Sequence, residues 1–357
     1  MNLLAVPFLI ALVVSLLFGG KVIAALAAAK ARQPVSEDAP EAHKIKHGTP
    51  TMGGLLILIA TLTAVVVCAL TPVLRAAPLL NMATEGRVRG VFAVAGVFLL
   101  ACLVGLADDT GKARKKLNKA GLSERAKLGL QFLVAGLFVA YLGLTEQQGL
   151  TTALMIGRRV VDLGIWYYGL GILYLCFFGN AVNFTDGLDG LSSGVTLIVS
   201  LTLALTVSAL HPEVSVFYLA VAGACAGFLW FNAHPAKVFM GDTGSLALGM
   251  GLAAAAMAAK QELLLLIVGF VYVAEIASMM IQRYVFKYRR IRHGIEYAKA
   301  NRVFRRAPLH HHFEELAWPE TRVVVRFYVA ALAFAALGFL LAPYLVPATA
   351  AGNGVIR

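Results

Sequence analysis

The residues in this sequence best suited to chemistry are its aspartates. There are seven, Asp38, Asp108, Asp109, Asp162, Asp186, Asp189 and Asp242, and five of them (Asp108, Asp109, Asp186, Asp189 and Asp242) fall where a long apolar stretch meets a polar one. Carboxylates drawn from three separate hairpins to one face would make a site for a hard cation. Oxygen donors of this kind suit Mg²⁺, which takes one or two carboxylates and completes its shell with water and substrate phosphate. In VGLADDTGK, Asp108 and Asp109 are neighbours, and on a helix neighbouring side chains point about 100° apart. One of the pair is expected to face the ion and the other a different partner. In FNAHPAKVFMGDTGSLALG, Asp242 stands among Gly241, Gly244 and Ser245 at the start of an apolar run. It could simply cap that helix. Beside Lys237 at a positive helix terminus it is better suited to a metal-bridged diphosphate, with Phe239 as a stacking surface for a base.

Two further stretches carry polar chemistry. HKIKHGTPTMGG sets Lys46, Thr49 and Thr51 beside Gly53 and Gly54, a combination friendly to phosphate that alone could equally be a polar entry to a helix. PLHHHFEE presents His310, His311 and His312 followed by Glu314. Three consecutive imidazoles cannot all turn to one ion on a helix, which argues against a zinc site, but they can donate hydrogen bonds to phosphate oxygens.

The elements that must position these groups are apolar helices. With 59% hydrophobic and 14% charged residues, the composition is that of an all-α polytopic membrane protein, read as a single domain over residues 1–357. At about 20 apolar residues per span, about ten transmembrane segments can be placed, near 3–25, 53–72, 88–107, 127–145, 163–182, 191–210, 215–232, 244–260, 262–284 and 323–345. With ten segments the loops at 26–52, 108–126, 183–190, 233–243 and 285–322 share one side, and all but 183–190 carry Lys or Arg, including a dense run from Lys287 to Arg306. These loops are expected to be cytoplasmic and both termini outside, which puts the five aspartates at the cytoplasmic face. The basic run is expected to meet anionic lipid, and no nucleic-acid partner is expected. Between the fourth and fifth segments, TTALMIGRRVVDLG alternates weakly and could form a short hairpin. Cys68, Cys102, Cys176 and Cys225 are isolated within apolar runs and read as packing residues.

A cation-coupled transporter could share this composition. Transport predicts ionisable groups near the bilayer midplane. Only Glu275 lies well inside a segment, with Glu262 near an end, and no internal repeat is evident. Chemistry at the membrane surface is favoured.

Taken in order, HGTPTMGG at 47–54, the Asp108 and Asp109 pair with GLSERAK at 121–127, NFTDGLDGL at 183–191, FNAHPAKVFMGDTGS at 231–245 and PLHHHFE at 308–314 resemble the polyprenyl-phosphate N-acetylhexosamine-1-phosphate transferases. DGLDGL and GDTGS are shared across that superfamily, whereas TPTMGG and PLHHHFE look specific to its muramoyl-pentapeptide branch; the rest of the superfamily offers transfer from UDP-GlcNAc as the alternative. The resemblance implies a ten-span homodimer of the bacterial cytoplasmic (inner) membrane. Its expected substrates are UDP-MurNAc-pentapeptide and undecaprenyl phosphate, and its expected products are lipid I and UMP. By motif position, Asp242 would hold Mg²⁺ and be catalytic together with Asp108 and Asp109. Lys46, Thr51, Lys112, Asn183, Asp186, Asp189, Asn232 and Phe239 would bind substrate, with Phe239 under the uracil, and His310, His311 and His312 would close the pocket. Two departures from the family's pattern, Thr110 in place of an aromatic residue and a spacing from Asp108 to Gly121 that is longer by one residue, bear on Lys112 and Lys116 more than on the aspartates.

Overall fold

The structure is a computed structural model, and it describes residues 3–29, 48–71, 85–114, 121–145, 152–156 and 159–346. After a short 3₁₀ turn, its helices are α1 (Val6–Ala28), α2 (Gly54–Leu70), α3 (Glu85–Arg114), α4 (Glu124–Leu144), α5 (Trp166–Thr185), α6 (Leu191–Val207), α7 (Pro212–Asn232), α8 (Gly241–Ala258), α9 (Glu262–Val268), α10 (Phe270–His293), α11 (Ile295–Ala300), α12 (Leu309–Glu314) and α13 (Glu320–Leu345). Between α4 and α5 lies the hairpin that the alternating sequence suggests. Strand β1 (Ala153–Ile156) pairs antiparallel with β2 (Arg159–Asp162), Ala153 opposite Asp162 and Ile156 opposite Arg159.

Each of the ten apolar segments falls on a helix, and the helices sort by burial. Helices α7 and α8 are apolar all round, as expected of a helix enclosed by others; α8 is buried continuously from Thr243 to Met257 and packs against α2, α3, α5 and α7. By contrast α1, α4 and α13 leave large apolar side chains outward, among them Leu17, Leu133, Leu137, Leu332 and Leu340. Such a surface is poorly suited to water and well suited to lipid.

Among the described residues, α1, α3, α4, α7 and α13 are each long and apolar enough to cross a bilayer, and α2 and α6 are shorter apolar helices of 17 residues. The segment expected as one ninth span, 262–284, is two helices: α9 and α10 meet at Gly269 with a bend of 80°, and together they make a sixth candidate. Glycine at a helix junction removes the side chain that would resist the break. The long α10 carries Arg290, Arg292 and His293 in its last turn, where cations complement the carbonyl end of the helix. All four cysteines are buried free thiols, in keeping with a packing role.

Candidate active site

The site is built where α3, α8 and the start of α2 come close enough for backbones to touch. A Cβ at Gly105 of α3 would lie 2.1 Å from the Asp242 carbonyl oxygen, and one at Gly54 would lie 2.1 Å from the Gly244 nitrogen. No larger residue fits either crossing. The segment before α2 is stitched to the segment before α8: Phe239 N–H donates to Pro50 O at 2.8 Å, Gly53 N–H to Phe239 O at 2.9 Å and Gly54 N–H to Met240 O at 3.0 Å. TPTMGG and KVFMGD therefore form one structural unit.

This approach sets Asp109 at the N-terminus of α8. Its Oδ2 accepts from the Thr243 N–H at 3.0 Å and the Thr243 hydroxyl at 2.7 Å, and its Oδ1 accepts from the Asp242 N–H at 3.3 Å. The capping role that Asp242 could have filled belongs to Asp109, supplied from another helix to the unpaired N–H groups of α8. Asp242 is left to face outward from the first turn. Its Oδ2 lies 2.8 Å from Lys112 Nζ and 2.5 Å from Lys127 Nζ, and its Oδ1 accepts from the Asn183 amide at 2.7 Å. Asn183 donates also to Ser245 Oγ at 2.8 Å.

Asp108, buried beside it, accepts from the Leu122 N–H at 2.7 Å through Oδ1. Its Oδ2 lies 2.7 Å from Lys112 Nζ and 3.6 Å from Lys127 Nζ. The two lysines thus bridge the two carboxylates. Helical geometry separates the duties of Asp108 and Asp109 as expected, yet one oxygen each from Asp108, Asp109 and Asp242 still lies within 4.8 Å of the others. An all-oxygen donor set of this spacing, already drawing ammonium groups to its open side, is chemically matched to a hard divalent cation.

Asp186 ends α5 and faces the same junction. Burial, then the nearby charges of Asp242 and Asp109, push its carboxyl up to about 8 against the opposing Gly241 N–H. Asp189 has a different setting. It is buried, its Oδ2 lies 3.1 Å from His234 Nδ1 and accepts from the Ala236 N–H at 3.1 Å, and its own N–H donates to Glu320 Oε1 at 2.7 Å. Glu320 Oε2 lies 3.4 Å from His234 Nδ1, which closes a second cluster.

Asn232 is buried, and both ends of its amide are in use. Its Oδ1 accepts from the Gly190 N–H and the Ser193 hydroxyl, each at 3.1 Å, and its Nδ2 donates to Val238 O at 2.9 Å. Phe239 is partly exposed with its backbone pinned, and Thr51 is buried, its hydroxyl close beside Gly241. The three histidines diverge: His310 turns to Glu275, His311 Nδ1 lies 2.6 Å from Glu314 Oε2, and His312 Nδ1 accepts from the Arg305 N–H at 3.1 Å. Lys46 lies outside the described residues.

The structure therefore gathers Asp108, Asp109, Lys112, Asn183 and Asp242 directly, with Asp186 at the same junction, and sets Asp189 in the adjoining turn, to which Asn232 at the end of α7 is hydrogen-bonded. It adds Lys127, Ser245, Glu275, His234 and Glu320. Lys127 had a sequence signal, because Ser123 in GLSERAK is the N-cap of α4, accepting from the Ala126 N–H at 3.2 Å, which places Lys127 on the next turn.

A bundle of apolar helices that closes on an acid and lysine cluster at one helix crossing defines the class: the family model for glycosyl transferase family 4 matches residues 91–260, and signature 1 of the phospho-N-acetylmuramoyl-pentapeptide-transferases matches residues 46–58. Proteins called phospho-N-acetylmuramoyl-pentapeptide-transferase are similar over nearly the whole chain. The one from Gemmatimonas aurantiaca is 43% identical over 93% of this chain and 91% of its own length, that from Geobacillus kaustophilus 42% over 94% and 95%, and that from Rubrobacter xylanophilus 41% over 93% and 94%. The chain belongs to the phospho-N-acetylmuramoyl-pentapeptide-transferase family.

Proposed function

We propose that this protein transfers phospho-MurNAc-pentapeptide from UDP-MurNAc-pentapeptide to undecaprenyl phosphate, giving lipid I and UMP for peptidoglycan synthesis. The observation that carries this reading is the match to transferases of that name over more than nine-tenths of the chain. The acid and lysine cluster at the α3 and α8 crossing supplies a place for the chemistry.

Two phosphates must approach one another, and their mutual repulsion is the first barrier. Lys112 and Lys127, converging on Asp108 and Asp242, spread that charge as an oxygen of the lipid phosphate attacks the sugar-bearing phosphorus. The new P–O bond forms as the P–O bond to UMP breaks, and UMP leaves with the bonding pair. A phosphate monoester has a second pKa near 6, so the attacking group is mostly dianionic at neutral pH. Asp108 accordingly serves to orient the acceptor or take its residual proton. This direct route competes with a covalent aspartyl-phosphate on Asp109 or Asp242, and trapping a phosphosugar adduct in the absence of lipid acceptor would overturn it.

Asp242, with Asp108 beside it, would hold Mg²⁺, which when bound supplies further charge neutralisation on the diphosphate. Asn183 fixes the Asp242 carboxylate from the other side. Asp186, Asp189, Asn232 and Phe239, with Lys46 and Thr51, form the nucleoside and diphosphate side of the site, and the turn carrying His310, His311 and His312 borders it. We read the chain as one integral-membrane domain crossing the bacterial cytoplasmic membrane about ten times, with termini outside, the site on the cytoplasmic face and a homodimer as the working form.

The test is UMP release by purified protein with Mg²⁺ and undecaprenyl phosphate, offering UDP-MurNAc-pentapeptide and UDP-GlcNAc separately. Release from the muramoyl donor alone, abolished by Asp242→Asn, is expected. Release from UDP-GlcNAc alone would reassign the donor, and release from neither would remove the reading. In the same assay Phe239→Ala is expected to raise KM for the nucleotide donor about tenfold, the worth of one lost aromatic stack on a base; an unchanged KM would eliminate the stacking role.

A further inference from the structure

Glu275 is fully buried two turns into α10, in a helix where an ionised carboxylate is costly unless it is paired. Its partner is His310, 1% exposed on α12. The two meet twice: the His310 N–H donates to Glu275 Oε1 at 3.2 Å, and His310 Nδ1 lies 3.2 Å from Oε2. One carboxylate thereby satisfies a backbone N–H at the start of α12 and lies beside the imidazole ring, although Oε2 and Nδ1 do not meet in hydrogen-bond geometry.

Holding His310 by its backbone N–H sets the ring against the turn between α5 and α6. Nε2 faces Gly187, in the turn that joins Asp186 to Asp189, so closely that a Cβ at position 187 would lie 2.2 Å from it. Among the described residues Nε2 has no hydrogen-bond partner. A buried, unpaired ring nitrogen costs free energy, and here it is pressed against the backbone of a turn whose two aspartates belong to the proposed nucleotide site. The same turn is tied on its far side by Glu320 and Asn232, and the Tyr328 hydroxyl donates to Gly190 O at 2.7 Å. At Gly187 the turn rests against the His310 ring, and Glu275 holds the His310 backbone.

We propose that Glu275 is a positioning residue for the transfer reaction, acting through His310 to hold the Asp186–Asp189 turn in the form that receives the nucleotide donor. This rests on the function proposed above. It accounts for an acid inside an apolar helix, which otherwise suggests ion transport, and gives His310 a supporting duty distinct from those of His311 and His312.

The experiment compares wild type with Glu275→Gln, His310→Gln, the double variant and Gly187→Ala, each as full-length protein. UMP binding by calorimetry, KM and kcat for the nucleotide donor, KM for undecaprenyl phosphate and the thermal unfolding midpoint are measured for each. Glu275→Gln keeps the shape and an acceptor for the His310 N–H but replaces the carboxylate oxygen beside Nδ1 with an amide group. It is expected to raise KM for the donor and weaken UMP binding about tenfold or more, with kcat and the KM for lipid phosphate changed less than about threefold. His310→Gln should do the same, and the double variant should be no worse than either single one, because both act through one contact. Gly187→Ala, whose Cβ would lie 2.2 Å from Nε2 and so must push the ring and the turn apart, tests the contact from the turn's side and should reproduce the donor effect. Glu275→Asp, which restores the charge, should recover UMP affinity in part. A lowered unfolding midpoint with unchanged UMP affinity in both Glu275→Gln and Gly187→Ala would reduce Glu275 to a fold-stabilising role and overturn the proposal. If Glu275→Gln does not fold, the Gly187→Ala result decides alone. Wild type that binds UMP but does not turn over the muramoyl donor would remove the proposed function while leaving the binding comparison intact.

Discussion

Two clusters of ionisable groups lie at neighbouring junctions of this fold, and their donors are spent differently. In the cluster of Asp108, Asp109 and Asp242, Asp109 is spent on Thr243 and one oxygen of Asp108 on the Leu122 N–H, but the facing Oδ2 atoms of Asp108 and Asp242 are met by the side-chain ammonium groups of Lys112 and Lys127. In the cluster of Asp189, His234 and Glu320, the carboxylates accept from the Ala236 and Asp189 N–H groups and share one imidazole nitrogen. Both have the spacing to hold a cation. The difference is that lysine side chains can swing toward an arriving diphosphate, whereas backbone donors cannot leave without unfolding a turn. Under the proposed function the first cluster would be the reactive one and the second a latch, although composition alone would not rank them.

The comparison breaks most directly at its reactive end. Asp242→Asn and Asp108→Asn are each expected to lower UMP release by at least about 10³-fold, since each removes a preorganised charge at the reacting phosphates. A loss below about tenfold in either would mean that the carboxylates are not the reactive set. Lys127→Gln comes next, with an expected loss of about 10²-fold in kcat. It should also leave the carboxylates of Asp108 and Asp242 less compensated and more attractive to a cation, so that the variant reaches half-maximal rate at less Mg²⁺; an unchanged Mg²⁺ requirement would show that Lys127 is not the group balancing them.

Asp186 sharpens the contrast through pH. Its carboxyl, ordinarily near 3.8, stands near 8 in the free folded protein. The native state therefore holds a proton that the unfolded chain has released between those values, and stability contributed by this group is present at about pH 4 and lost as pH rises toward 8. The thermal midpoint of metal-free, substrate-free protein should fall between pH 5.5 and 8.5, and Asp186→Asn, which cannot ionise, should reduce that fall. An equal fall in both proteins would assign the dependence elsewhere.

Much of this was legible before any coordinates. The helices follow from apolar runs, the burial of the four cysteines from their isolation, and the split between Asp108 and Asp109 from helical geometry. What the sequence did not reveal depends on which helices touch. Lys127 reaches Asp242 across 115 positions, and Glu275 reaches His310 only because α12 folds back on α10. The 80° bend at Gly269 is likewise invisible to hydropathy, because residues 262–284 remain apolar on both sides of the break. Asn232 illustrates the other limit. Its residue type and motif point to substrate, but a carboxamide can equally serve its own fold; here Oδ1 and one N–H of Nδ2 bind the fold, and the second N–H is what it could offer a substrate.

The latch gives the smallest expected effect and the most specific one. Glu320 belongs to the first turn of α13 and accepts the Asp189 N–H, while His234 bridges Glu320 and Asp189. His234 is 43% exposed at its side chain, so its ion pairs are screened by solvent and worth little by themselves. Glu320 is far less exposed, and its backbone partner would lose an acceptor. Glu320→Gln keeps an oxygen for that N–H and should cost less than about 1 kcal/mol, whereas Glu320→Ala strands it and should cost about 1–3 kcal/mol. In an unfolding series the midpoints should therefore rank wild type, then Gln, then Ala, with kcat within about threefold of wild type throughout. If Glu320→Gln instead lowers kcat as severely as Asp242→Asn, the second cluster is reactive too, and the distinction between mobile and backbone-bound partners does not separate chemistry from support in this fold.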